Sequence, residues 1–109
     1  MWIVVKYDKK KIGLLVNELK NKFDDNLKIY NPKFKANFKL KNKTIENEFN
    51  LLRDYLFCYH KDFDNPYFVN ILKFTKGVNN FVNGYKSSQK DIEQFINRCK
   101  KSENSSGYL

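Results

Sequence analysis

One pair in this 109-residue chain, a cysteine and a histidine close in sequence, has the residue types and the spacing of a nucleophile and its base. Cys58 and the single histidine, His60, are two residues apart, which on a β-strand places both side chains on one face. An imidazole can activate a neighbouring thiol, but no oxyanion-hole motif accompanies this pair. We therefore interpret Cys58 as a buried thiol and His60 as an imidazole at the edge of the sheet, and we predict no catalytic residues and no enzymatic activity.

Metal and phosphate-binding motifs are also not indicated. Cys58 and Cys99 are far apart in the sequence, and one histidine is too few for the ligand spacing of a zinc site. The four glycines are scattered and form no phosphate-binding loop. The sequence predicts neither a metal nor a cofactor.

Positive charge is the clearest chemical feature of the chain. The formal net charge is +9 and the pI is near 9.5, which favours an anionic partner, nucleic acid first. Only two of the 21 basic residues, Arg53 and Arg98, are arginine, the residue best suited to bidentate contact with phosphates or bases. Charge alone leaves two interpretations open, a nucleic-acid contact and a solvated lysine-rich surface.

Two segments indicate the function of the chain more specifically than its total charge does. Residues 55–60 are apolar on both faces, which predicts a central strand and makes Tyr55 a candidate contact for a large partner. Residues 75–82 contain a glycine turn at Gly77 and then return to extended chain. This pattern places Lys76 on a loop that a polyanion can reach.

The hydrophobic pattern predicts the elements that position these segments. Residues 2–7 form a strand, and a helix with one apolar stripe follows Asp8, a candidate N-cap. Apolar and polar residues alternate over residues 27–30 and 34–40, which predicts two outer strands. Residues 44–50 show no clear period and are assigned to a loop. The central strand is predicted over residues 51–60.

Capping signals mark the two remaining helices. Asn65 and Pro66 supply an N-cap and a proline at the first helical position, and Gly77 lies beyond the end of that helix. A short strand is expected over residues 80–82. Ser88, three residues before Asp91, begins the terminal helix with a near capping box.

This order of elements predicts an α+β domain over residues 1–102, with a mostly antiparallel four-stranded sheet flanked by helices in a ferredoxin-like arrangement. Residues 103–109 are polar and aperiodic, so we expect a flexible tail or a truncated linker. The chain shows neither a signal-peptide pattern nor an apolar stretch long enough to span a bilayer, and we expect a cytoplasmic protein with no membrane partner.

In order and spacing, these motifs resemble the N-terminal (NGN) domain of the NusG family of transcription elongation factors. The resemblance covers most of the chain and rests on four motifs: Trp2-Ile3-Val4-Val5 before a basic helix, Tyr55-Leu56-Phe57, Gly77-Val78 followed by Phe81-Val82, and a final helix with Ile92 and Phe95. The segment over residues 75–82 is especially similar to the RfaH-like specialised paralogues. The family's Pro-Gly before the central tyrosine is replaced here by Arg53-Asp54.

The resemblance implies a monomeric factor that binds the clamp helices of the RNA polymerase β′ subunit and suppresses pausing or termination. Leu52 and Tyr55 occupy the positions that match the polymerase contact, although Tyr55 can also be interpreted as a core residue. The positions that match contacts with non-template DNA hold Lys9, Lys10, Lys11, Thr75 and Lys76. Because lysine neutralises phosphate but reads bases poorly, we expect DNA contact that is salt-sensitive and tolerant of sequence.

An RNA-recognition module (RRM) is the main alternative. Residues 53–60 partly imitate the ribonucleoprotein strand motif of such modules, although Asp54 stands at the glycine position and Leu56 at the position of a small residue. This leaves an RRM-like single-stranded RNA-binding module as the second hypothesis. A scaffold that kept the fold without binding polymerase is a third.

Overall fold

The structure is a computed structural model that describes residues 1–23, 25–82 and 84–109. Its described residues contain six strands, three α-helices and one 3-10 turn. In chain order these are β1 (Trp2–Tyr7), the 3-10 turn (Lys9–Lys11), α1 (Ile12–Lys22), β2 (Lys28–Tyr30), β3 (Lys33–Leu40), β4 (Lys43–Asn50), β5 (Tyr55–Tyr59), α2 (Pro66–Lys73), β6 (Val78–Phe81) and α3 (Gln89–Ser102).

The main sheet has four strands in the order β2-β5-β1-β6, and every neighbouring pair is antiparallel. Strands β3 and β4 form a separate two-stranded hairpin. With the hairpin set aside, the chain runs β-α-β-β-α-β and places β1 and β5 at the centre of the sheet, which is the ferredoxin-like order. The α+β fold with a four-stranded antiparallel sheet, predicted from the sequence, is confirmed.

Each face of the sheet packs against helices. Ile3, Val5 and Tyr7 alternate along β1 onto one face, where they are buried with residues of α1 and α2, among them Leu15, Leu19 and Leu72. On the opposite face, Trp2 and Phe57 pack against Ile96 of α3. A strand buried on both sides reads as a continuous apolar run, which explains the composition of β1 and β5.

Asn65 caps α2 as predicted, whereas Asp8 caps the 3-10 turn and not α1, whose own N-cap, Lys11, makes no side-chain capping hydrogen bond. The Asp8 carboxylate accepts a hydrogen bond from the Lys10 N–H at 3.0 Å, and Asn65 accepts one from the Tyr67 N–H at 3.0 Å. The capping box predicted at Ser88 is wrong, because this side chain makes no capping hydrogen bond. Instead, the side-chain oxygen of Gln89 accepts a hydrogen bond from the Trp2 N–H at 2.7 Å, and its side-chain nitrogen donates one to the Trp2 carbonyl at 2.6 Å. These two bonds connect α3 to β1.

The assignment of residues 44–50 to a loop is wrong, because these residues belong to strand β4. Lys41 and Asn42 both have positive φ (48° and 65°), as a two-residue type I′ hairpin turn requires. Cross-strand contacts then stabilise the pair, namely the Phe34–Phe49 ring stack at 5.4 Å and the Lys33–Glu48 and Lys35–Glu46 ion pairs at 3.1 and 3.3 Å. The central strand is also shorter than expected, since residues 51–54 form a turn before β5.

The residues after α3 lie against the hairpin. The Leu109 N–H donates to the Lys33 carbonyl at 2.8 Å, and the Tyr108 hydroxyl donates to the Glu48 carboxylate at 2.9 Å. The division of the chain after residue 102 stays a prediction.

Across the described ranges, no helix has the length and apolar character needed to cross a membrane.

A buried hydroxyl connects β1 to the turn that precedes β5. The Tyr7 hydroxyl accepts a hydrogen bond from the Asn50 side-chain amide at 2.9 Å and donates one to the Arg53 carbonyl at 3.0 Å. The Tyr7 N–H donates to the Asp54 carbonyl at 2.9 Å. Residues 51–54 are therefore held by Tyr7 from both its backbone and its side chain.

Replacing this hydroxyl should lower the stability of the protein. Tyr7→Phe leaves the Asn50 amide and the Arg53 carbonyl without this partner, so we expect the free energy of unfolding to fall by about 1–2 kcal/mol. Urea denaturation measures the change. Tyr67→Phe, at an exposed ring, is the control and should change stability by less than about 0.5 kcal/mol. Equal midpoints for the two variants would show that the Tyr7 hydrogen bonds contribute little.

Candidate functional site

The site residues predicted from the sequence lie at one end of the main sheet. Strand β1 ends there, and β5 and β6 begin there, since Lys6 pairs with Tyr55 and Tyr7 pairs with Val78. The 3-10 turn Lys9–Lys11, which we call the lysine turn, follows β1, and Lys76 precedes β6 in the chain. We call this region the sheet-end surface, and it consists of Lys9, Lys10, Lys11, Leu52, Tyr55 and Lys76.

Gly77 allows the two lysine segments to approach closely. Its carbonyl accepts a hydrogen bond from the Asp8 N–H at 3.0 Å, and its φ is +94°. A Cβ atom at this position would lie 3.0 Å from the Leu15 Cβ and 3.6 Å from the Lys11 carbonyl oxygen. The glycine turn predicted from the sequence is therefore confirmed, and only glycine fits it without strain. It places Lys76 beside the lysine turn.

The sheet-end surface carries several unburied cations. Lys9, Lys10, Lys11 and Lys76 are all exposed. Lys9 also borders a surface depression with Arg53 and Glu48. Hydrogen bonds from the Lys33 ammonium and the Tyr108 hydroxyl lower the pKa of Glu48, so this carboxylate stays charged. Its ion pair is with Lys33 and not with a lysine of the sheet-end surface.

Arg53 is a cation of this surface that sequence reasoning did not include. It is exposed and has a φ of 58°, a left-handed conformation that is costly for a residue with a Cβ. The hydrogen bond from Tyr7 to its carbonyl holds this conformation. The signal in the sequence was Arg53-Asp54 directly before the central strand, where the structure has a turn that carries a guanidinium.

Thr75 must be removed from the predicted nucleic-acid contacts. Its side chain is only 2% exposed, and its hydroxyl donates to the Ile71 carbonyl at 2.8 Å. Thr75 was predicted as a contact because the resemblance places it in the turn before Gly77-Val78. In the structure, the hydroxyl satisfies a carbonyl of α2 and anchors the start of the loop that presents Lys76.

Tyr55 and Leu52 are both partly buried. The Tyr55 ring has Lys6 as a neighbour, with the ammonium 6.0 Å from the ring centroid, at the outer limit of a cation–π contact. Leu52 packs at the margin of the cluster formed by Trp2, Phe57 and Ile96. The two side chains thus lie between the core and the surface.

The Cys58–His60 pair belongs to the core. Burial raises the pKa of the Cys58 thiol to about 12, so the thiol is protonated at neutral pH and is a poor nucleophile. The prediction of a buried thiol is confirmed. The prediction that His60 is an edge imidazole is wrong, because its ring is buried, stacks on Phe68 at 5.4 Å and accepts a hydrogen bond from the Asp62 N–H at 3.0 Å.

Within the residues that the structure describes, no three His, Cys, Asp or Glu side chains cluster as metal ligands would. No protein-family model matches the chain, and no curated protein matches it in sequence. The resemblance to the NGN domain therefore stays a prediction.

Two glycine substitutions test whether Gly77 holds the sheet-end surface together. Gly77→Ala introduces a Cβ at a positive φ and against Leu15, so we expect the free energy of unfolding to fall by about 1–3 kcal/mol. Gly13→Ala is the matched control, since Gly13 lies in α1 and an added Cβ meets nothing within 4 Å. It should leave stability unchanged or raise it by up to about 1 kcal/mol. Equal effects in urea denaturation would contradict the role of Gly77.

Proposed function

We propose that this chain is an NGN-type domain of a transcription elongation and antitermination factor. It binds the clamp helices of the RNA polymerase β′ subunit, suppresses pausing or termination, and contacts non-template DNA. The observation that carries the proposal is that segments far apart in sequence, each matched to a family contact, meet at one end of the sheet. The domain acts as a cytoplasmic monomer and without enzymatic chemistry.

The polymerase contact uses the apolar part of the sheet-end surface. Tyr55 offers a large rigid ring that loses little rotamer entropy on binding, together with a hydroxyl that sets orientation. Leu52 precedes it on the turn held by Tyr7, so the two side chains are positioned before the partner arrives. Binding across the clamp favours its closed state, which is a shift in population and involves no covalent step.

The DNA contact uses the cations beside this apolar edge. Five exposed cations surround the strand ends with positive charge, namely Lys9, Lys10, Lys11, Lys76 and Arg53. The four lysines act as point charges on phosphates, because only an arginine can make a bidentate contact. Neutralisation of phosphates releases counterions, so affinity for single strands falls as salt rises. The contact is expected to be tolerant of sequence because phosphate contacts carry no base information.

The packing of α3 argues against the RNA-recognition alternative. Such modules stack bases on aromatic side chains of the two central strands, on the sheet face that their helices leave open. Here that face carries α3, and Phe57 is 4% exposed with its ring 5.8 Å from that of Phe95. Trp2 is buried in the same cluster. RNA binding of this type would require α3 to leave the sheet.

Tyr55→Ala tests the polymerase contact. We expect the dissociation constant for isolated β′ clamp helices to rise by at least about tenfold, because a central aromatic contact is lost. Tyr59→Ala is the control, since Tyr59 lies on the same face of β5 at the opposite end of the strand. It should reduce thermal stability without weakening binding.

The clamp-helix experiment has two adverse outcomes. No association of the unmodified protein at tens of micromolar would refute the proposed function. Equal losses of binding and of thermal stability in Tyr55→Ala and Tyr59→Ala would assign Tyr55 to the core.

Lys76→Ala tests the DNA contact. Removal of one phosphate contact should weaken binding to a single-stranded oligonucleotide and reduce the slope of log K against log salt by about 0.7. Lys61→Ala provides the matched control, because Lys61 is an exposed lysine that follows β5 at the opposite end of the sheet. Fluorescence anisotropy over a salt series gives both quantities. An unchanged slope in Lys76→Ala would remove Lys76 from the interface.

A further inference from the structure

Two aromatic rings, that of Tyr67 on α2 and that of Phe74 directly after its last residue, are much more exposed than their type predicts. Tyr67 is 66% exposed and Phe74 is 76% exposed, the highest values among the large apolar side chains of the described residues. They stand seven residues apart, which is two helical turns and about 10 Å along the axis. Both therefore lie on one side of α2, and we call this side, with Asn70 and Ile71 between the rings, the α2 aromatic face.

The α2 aromatic face is connected to the core beneath it at both ends. The Tyr67 ring meets the Phe68 ring edge-on at 5.3 Å, and Phe68 in turn stacks on the buried His60. At the other end, the Phe74 N–H donates to the Asn70 carbonyl at 3.1 Å. The next residue, Thr75, is anchored to Ile71 through its hydroxyl. These contacts hold the backbone that carries the two rings, while the rings themselves lie in solvent.

Three lysines lie in or next to this face. Lys22, at the end of α1, lines the shallow groove together with Tyr67, Asn70, Ile71 and Phe74, a cavity of about 340 Å³ with no carboxylate in its lining. Lys73 and Lys76 flank Phe74 in the sequence and are exposed. The groove therefore suits an occupant that combines negative charge with flat apolar surfaces.

The α2 aromatic face is continuous with the sheet-end surface. Phe74, Thr75 and Lys76 are consecutive residues, and Lys76 lies beside the lysine turn. A chain of phosphates bound at the lysine turn can therefore pass Lys76 and reach the two rings. Exposed aromatic rings next to a line of lysines are the combination with which proteins bind single-stranded nucleic acid.

We propose that the α2 aromatic face is a stacking platform for single-stranded nucleic acid. Bases stack on Tyr67 and Phe74, while Lys22, Lys73 and Lys76 neutralise the adjacent phosphates. Stacking on aromatic rings is tolerant of sequence, because every base has a π-face. This inference rests on the DNA contact of the proposed function and extends it from the sheet-end lysines onto α2.

The test measures binding of a fluorescently labelled oligo(dT) strand by anisotropy over a salt series. Tyr67→Ala and Phe74→Ala should each weaken binding by about tenfold and leave the salt slope unchanged, because they remove stacking and no charge. Tyr67→Phe and Phe74→Tyr should bind like the unmodified protein, since each retains a ring. Leu40→Ala is the control, an exposed apolar residue in the hairpin, and should have no effect.

The remaining outcomes separate this inference from the proposed function. If Lys76→Ala weakens binding and the two alanine variants on α2 do not, the stacking platform is refuted and the sheet-end DNA contact stands. If both alanine variants bind oligo(dT) normally but lose affinity for polymerase or for an acidic peptide, the face is a protein contact and the inference is wrong. If the unmodified protein does not bind oligo(dT) at tens of micromolar in low salt, both DNA contacts fail, and the clamp-helix measurement still tests polymerase binding.

Discussion

The pairing of β1 with β5 is the interaction on which the rest of the structure depends. Five residue pairs join the strands, from Trp2–Tyr59 to Lys6–Tyr55, and both strands are apolar on their two faces. A shift of one residue would move every side chain to the opposite face. The register therefore decides which residues pack against α1 and α2 and which pack against α3.

This pairing also determines where a partner can bind. Because helices cover both faces of the sheet, the two central strands expose little aromatic surface there, and the open regions are the strand ends and the outward sides of the helices. The antiparallel register brings the end of β1 together with the starts of β5 and β6. Gly77 completes this end, since its missing side chain lets the Lys76 loop lie against α1. Charge from three separate segments is thereby concentrated in one place.

The agreement between sequence and structure depends on how local each signal is. The start of α2 at Asn65 and Pro66 was predictable, because the cap and the proline act within one helical turn. Strand β4 was missed, because its own residues have no clear alternation and its stability comes from β3 through pairs such as Lys33–Glu48 and Phe34–Phe49. Ser88 was misjudged for a related reason, since Gln89 fixes the start of α3 through the backbone of Trp2, a residue that is distant in sequence.

The sequence by itself determined the α+β class, the glycine turn at Gly77 and the excess of positive charge, because these follow from periodicity, backbone freedom and composition. Only the tertiary structure decided that Lys76 lies beside the lysine turn, that Thr75 and His60 are buried, and that Tyr67 and Phe74 remain in solvent. Exposure depends on which distant residues cover a side chain, and a helix such as α2 has more apolar residues than its buried side can accommodate. The position of the sheet beneath α2 therefore selected which aromatic rings in and after this helix joined the core and which remained exposed to solvent.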